Sequence, residues 1–207
     1  MYVPKHNLIT DTALLHSLMQ GFSFATLVTV HDGRPFATHL PFLVHPAVGD
    51  LGCLVAHVAK ANPQWEDFAQ GNEVLVIFQG HHTYISPSWY EASPSVPTWN
   101  YATVHAYGTP HVLTDDSRVR ETLRELVNKH EEGFAIPWTM DLPDDYLRKM
   151  MRGIVAFEIP ISRLEGKFKL SQNRSDADQD RVIAALGESN NPDALGVRAM
   201  MEALTEK

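Results

Sequence analysis

The chain has 207 residues, with 17 Lys and Arg against 25 Asp and Glu, a formal charge of −8 and ordinary charged and apolar fractions. Such a chain builds one hydrophobic core and falls outside the disordered and fibrous classes. Its acidic balance repels nucleic acid and anionic membrane on average, and one cysteine excludes an intrachain disulfide or a multi-cysteine zinc site.

The opening MYVPKHNLIT lacks the charged-then-apolar layout of a signal peptide, and no apolar run approaches the ~20 residues of a membrane span. A soluble, cytoplasmic protein is the expectation. TDTALLHSLMQG predicts a short helix, because capping residues open it, Leu14, Leu15 and Leu18 share a face, and Gly21 closes it. FATLVTV and PFATHLPFLV flank HDGR. Asp32-Gly33 between two apolar runs predicts a hairpin, since a type I′ turn needs positive φ. LGCLVAHV and EVLVIFQG read as strands, and Cys53 within the first reads as an inert buried thiol. Between them, Asn62 can cap a helix starting at Pro63, with Trp65, Phe68 and Ala69 on its buried face and Gly71 at its end.

The aromatic-rich start of HHTYISPSWYEASPSVPTWNYATVHAYGTPHVL is interrupted by Pro87, Pro94 and Pro97 and predicts a loop of defined shape. From Thr98 to Gly108 the pattern alternates like a strand. DDSRVRETLRELVNKHEEG predicts an amphipathic helix with Val119, Leu123, Leu126 and Val127 facing inward. DDYLRKMMRG is a shorter helix, and IVAFEIPISRLEGKFKL reads as a final pair of strands. Ser175 and Asn191 cap two C-terminal helices, one ending on Gly187 and one with Pro192 at its first position. This order predicts a mainly β, α+β fold: an antiparallel sheet or barrel with flanking helices.

Four stretches could carry chemistry. In HVAKANPQW, Lys60 stands two residues ahead of the Asn62 cap and His57 three residues earlier. A cation, a hydrogen-bond donor and the positive end of a helix suit an anion such as phosphate. A plain strand-to-helix turn fits the same spacing, and both readings stand. In FATHLPF, Thr38 and His39 lie in a strand that Pro41 ends, so an exposed edge could meet a flat ligand; an edge histidine without ligand is the alternative. Trp89, Tyr90, Trp99 and Tyr101 could line a pocket, form a subunit interface or pack in the core. KFKLSQNRSD sets Lys167, Lys169 and Arg174 near Gln172 and Asn173, a composition suited to an anion or a heterocycle, or to solvation alone.

Dinucleotide-binding, Walker, zincin and nucleophile-elbow motifs are absent, and adjacent His81 and His82 lack metal-ligand helical spacing, so no metal is expected. A helix-turn-helix over residues 175 to 206 would have a second helix poor in basic residues, which argues against a recognition helix.

Taken together, MYVPKH, FATLVT with DGRPFATHLPF, HVAKANPQW, VLVIFQGHHTYISPSWY, VPTWNYATVHAYG and KLSQNR resemble the PaiB-type FMN-binding negative transcriptional regulators. The resemblance covers nearly the whole chain. It implies a split β-barrel over residues 1–170 with a C-terminal helical extension over 171–207, assembled as a homodimer with FMN at the subunit interface. It places the FMN phosphate near His57, Lys60 and Asn62, and runs the strand Thr38, His39, Leu40 and Pro41 along the isoalloxazine edge. Trp99, Asn100 and Tyr101 would border the pocket, with the partner chain as one source, and Gln172, Asn173 and Arg174 would close it. Regulation of transcription, and with it DNA binding, comes from the resemblance alone. A flavin-dependent oxidoreductase of the flavin-reductase or pyridoxamine-phosphate-oxidase kind and a haem-binding split barrel are the alternatives. No residue is assigned as catalytic.

Overall fold

A computed structural model describes residues 1–205; Glu206 and Lys207, the end of the expected C-terminal extension, lie outside the described residues. Nine strands form one antiparallel sheet: β1 (Leu8–Ile9), β2 (Phe24–His31), β3 (Arg34–Pro41), β4 (Leu43–His45), β5 (Cys53–Ala59), β6 (Val74–Ile85), β7 (Thr98–Gly108), β8 (His111–Val112) and β9 (Ile154–Lys169). The order is β3-β2-β6-β7-β9-β5-β4, with β1 and β8 both pairing β9. Helices α1 (Thr12–Gly21), α2 (Asp116–Glu131), α3 (Asp144–Met151), α4 (Asp176–Gly187) and α5 (Pro192–Thr205) flank the strands. Among the described residues, no helix is long and apolar enough to cross a membrane.

The chain divides into two compact units. One comprises residues 1–11, 79–104 and 165–207; the other comprises residues 12–78 and 105–164. In the larger unit, β2 and β3 form the expected hairpin, pairing from Phe24 with Pro41 to His31 with Arg34. Asp32 and Gly33 both take positive φ, 49° and 72°, as the type I′ turn requires. Phe42, Phe78 and Phe157 meet edge to face in its core. In the smaller unit, α4 and α5 pack together, and Ser175 and Asn191 cap them as expected.

Three expectations are corrected. β6 continues through His81, His82, Thr83 and Tyr84 to Ile85, so the loop starts later. Inward positions alternate along β6, and Pro87 ends the strand rather than the histidine pair, opening a short 3₁₀ turn capped by Ser86. β9 is one strand of 16 residues, not two. Different neighbours hold its halves, β5 along Ile154–Pro160 and β1 at Gly166 and Lys167, so neither Pro160 nor Gly166 turns the chain. The segment Pro63–Gln70 is a 3₁₀ helix whose buried residues are Gln64, Asp67 and Phe68, leaving Trp65 half-buried and Ala69 exposed. Three residues per turn place Gln64 directly in line with Asp67, and this line, not the one through Trp65, faces inward.

Candidate functional site

The sequence-derived site residues fall into two groups, one in each unit. The larger unit holds Thr38, His39, Leu40, Pro41, His57, Lys60 and Asn62. There β5 runs into the 3₁₀ turn. The Lys60 N–H donates to the Gly153 carbonyl at 2.8 Å, and the Asn62 N–H donates to the Ala59 carbonyl at 2.9 Å. The Trp65 indole N–H returns to the Lys60 carbonyl at 3.0 Å, and the Lys60 ammonium lies 5.9 Å from the Trp65 ring centre. The lysine backbone is thus fixed while its charge remains on an exposed residue, resting over an aromatic face.

Asn62 caps the turn as expected, its Oδ1 accepting from the Gln64 N–H at 3.0 Å. Its Nδ2 donates to Thr38 Oγ1 at 2.9 Å. The amide is therefore engaged on both sides and acts as a clamp between the turn and β3. A first-turn N–H that the anion reading left open is held by the cap instead.

His57 is half-buried on β5, and its Nδ1 is buried without a hydrogen-bond partner. Burial pushes its pKa below the ordinary 6.5, so the ring is neutral at pH 7 and has a polar nitrogen open to a further group. β3 lies at the end of the strand order and stops at Pro41, opposite Phe24. Along it Thr38 is half-buried, His39 exposed, Leu40 buried and Pro41 half-buried. Leu40 is a core residue, so its side chain cannot meet a ligand from the exposed face.

Beneath the turn lies a polar network that spacing did not reveal. Gln64, fully buried, donates from Nε2 toward the Leu27 carbonyl at 3.2 Å, Thr29 Oγ1 at 3.3 Å and the Phe36 carbonyl at 3.3 Å. Asp67 accepts from Thr29 Oγ1 at 3.1 Å and pairs with His31 Nδ1 at 2.9 Å. These contacts seat the turn on the β2–β3 hairpin. The only sequence trace of them is two polar residues three apart.

The smaller unit holds the remaining predicted residues. Trp99 and Tyr101, on one face of β7, line an open cavity of about 370 Å³ with Gln79, His82 and Thr103. Asn100 points the other way. It is 1% exposed and donates to Ser171 Oγ at 2.9 Å, so it braces the interior and does not border this cavity. None of Gln172, Asn173 and Arg174 lines it either. Gln172 closes its own turn, accepting from the Leu170 N–H at 2.7 Å and donating to the Phe168 carbonyl. Arg174 stacks over Tyr90, 4.1 Å from the ring centre, and reaches Ser95; Asn173 is exposed. Lys169 donates to Thr98 Oγ1 and the Trp99 carbonyl, and burial, followed by Lys167 and Arg174, pushes its pKa down.

A family described as "Putative FMN-binding domain" matches residues 1–163. The chain belongs to this family. The PaiB-type relative from Bacillus subtilis (strain 168), protease synthase and sporulation protein PAI 2, is 39% identical over 208 residues, covering 100% of this chain and 99% of its own. Among solved structures, the FAD and heme binding protein from Mycobacterium smegmatis superposes with a TM-score of 0.63 at 23% identity, covering 86% of this chain and 80% of its own. The flavocytochrome Anf3 from Azotobacter vinelandii gives 0.60 at 15% identity, covering 81% and 72%. At such identities the likeness shows the fold. The antiparallel sheet with flanking helices is the split barrel of the FMN- and FAD-binding proteins, as the resemblance implied.

Proposed function

We propose that this member of the FMN-binding family holds FMN through its HVAKANPQW turn, works as a homodimer and takes part in negative control of transcription. The observation that carries the cofactor reading is the fixed backbone and exposed charge of Lys60 in the same short segment as His57. A cation sits on a backbone held from both sides, three residues beyond His57, whose buried Nδ1 lacks a partner. These groups fit a phosphate ester: Lys60 supplies charge and His57 a neutral ring able to donate. Asn62 positions the turn against β3, and the second proton on its Nδ2 is available to the phosphate. The β3 edge, with exposed His39, offers backbone groups to the polar rim of a flat ring system. Trp99 and Tyr101 form the aromatic surface that such a ring meets, supplied in this reading by the second subunit. Bound FMN would supply electron-transfer chemistry, which the side chains alone lack.

The visible spectrum of the purified protein tests this. Flavin absorption, with FMN rather than FAD released on denaturation, is expected. A colourless preparation that does not quench added FMN fluorescence sinks the cofactor reading, and a Soret band replaces it with haem. Light scattering on a sizing column tests the dimer. The regulatory reading draws on the family resemblance and on the B. subtilis relative, named as a protease synthase and sporulation protein. DNA binding is tested across a salt series, where attraction that vanishes on every sequence at physiological salt argues against a sequence-specific repressor. Rapid reduction by NADH or NADPH with turnover would favour an oxidoreductase instead.

A further inference from the structure

An opening in the larger unit lies where the 3₁₀ turn, the start of β9, α2 and α3 meet. It measures about 490 Å³, within the ~300–1,000 Å³ of small-molecule sites. Part of its wall is apolar: Trp65, Val119, Met151 and Ile154 line it, and Val119 and Met151 belong to a packed core cluster. Backbone bonds hold those walls in place, Lys60 to Gly153 and Leu113 to Ala156 at 2.9 Å. Three cations border it, Lys60, Arg148 and Arg152, against one carboxylate, Asp116. Arg148 donates to Asp145, which is 96% exposed, so that pair competes weakly with a ligand. In a chain of charge −8, an apolar cleft rimmed by cations is a local reversal of the average field.

We infer that this cleft binds a small amphipathic monoanion, a carboxylate carrying an aliphatic or aryl body. The apolar walls take the body, and the planar Arg148 and Arg152 guanidinium groups meet the carboxylate at the rim. The rim charge attracts any anion; the apolar residues Trp65, Val119, Met151 and Ile154, which inorganic phosphate cannot cover, select an anion with an apolar body. The inference stands apart from the flavin reading. Lys60 borders both places, but Arg148, Arg152 and Thr114 belong to the cleft alone.

The test uses the full chain and 8-anilinonaphthalene-1-sulfonate as a fluorescent amphipathic anion. Wild type binds the probe saturably at one site, and decanoate displaces it while inorganic phosphate does not. Arg152→Glu reverses a rim charge and Thr114→Trp blocks the mouth. Both residues are exposed, so the fold tolerates the changes, and each weakens probe binding roughly tenfold or more while FMN affinity stays at the wild-type value. Equal probe binding by wild type and both variants overturns the inference. So does displacement by phosphate as effective as by decanoate. Loss of FMN affinity in Arg152→Glu also overturns it, because the cleft would then belong to the flavin phosphate.

Discussion

Asn62 Nδ2 donates to Thr38 Oγ1 at 2.9 Å, so the residue that caps the 3₁₀ turn also holds the edge strand β3. One side chain thereby aligns the two segments to which the FMN reading assigns the phosphate and the ring edge. Replacing it with alanine removes the cap, worth about 1 kcal/mol, and leaves Thr38 without this donor, at a similar cost. Asn62→Ala should lower unfolding stability by about 1–3 kcal/mol in a denaturant titration. Asn62→Asp, which keeps the cap and loses the donor, should fall between the two. Equal stability of the alanine variant and wild type would show that the clamp contributes nothing.

Lys60 bears its charge on an exposed side chain whose one described contact is the Trp65 ring, while its backbone is bonded into the fold. Lys60→Ala should therefore leave stability within about 0.5 kcal/mol of wild type. FMN affinity, read from fluorescence quenching, should drop roughly tenfold or more, since a charge-assisted contact to phosphate is lost. Unchanged affinity would return the stretch to a plain strand-to-helix turn.

Two histidines should impose opposite pH slopes on stability. The hydrogen bond that His31 donates to Asp67, aided by the carboxylate charge, raises the His31 pKa above 6.5. Its contribution is fully present below about pH 6.5 and is lost as the pH rises through the raised folded value. Burial lowers the pKa of His57, so its neutral form favours the fold above about 6.5, and that contribution is lost as the pH falls toward the folded value. Denaturation midpoints from pH 5 to 9 should show His31→Gln most costly at the acid end. His57→Gln should flatten the loss of stability on acidification. The same slope in both variants would contradict the assignment.

Cys53 is 3% exposed, and burial pushes its thiol up to about 11, so almost no thiolate exists at neutral pH. Ellman's reagent should leave the native protein unlabelled for hours and react with one thiol per chain in denaturant. Rapid labelling of the native state would place the thiol at an accessible surface.

Gly108 ends β7 against β9, and a Cβ there would sit 2.3 Å from the Pro160 carbonyl oxygen and 2.6 Å from Ile159 Cγ2. The nearer obstacle is backbone and cannot swing aside. Gly108→Ala should destabilise by roughly 1–3 kcal/mol, measurable by thermal melting, whereas Gly133→Ala, which meets nothing, should not share this steric cost.

What the residues determined by themselves was local. Asp32-Gly33 carries its hairpin because positive φ is a property of those two positions, and Asn62, Ser175 and Asn191 mark helix starts because a cap needs only its own next turn. The strand Thr98–Gly108 follows from its alternation, and that same alternation contains the inward placement of Asn100. The family was legible too, in the company its short stretches keep along the chain.

Tertiary structure decided whatever depended on neighbours far away in sequence. β9 is one strand because β5 and β1 hold its two halves, a fact absent from its own Pro160 and Gly166. Gln64 and Asp67 look like surface residues of a short helix until β2 and β3 surround them, and burial then requires the hydrogen bonds they make. Lys60 comes to share a cleft with Arg148 and Arg152 through the pairing of β5 with β9. Local conformational preference acts over a few residues, whereas burial and charge proximity are set by the packing of the whole unit, and it is packing that gathers these cations around an apolar cleft.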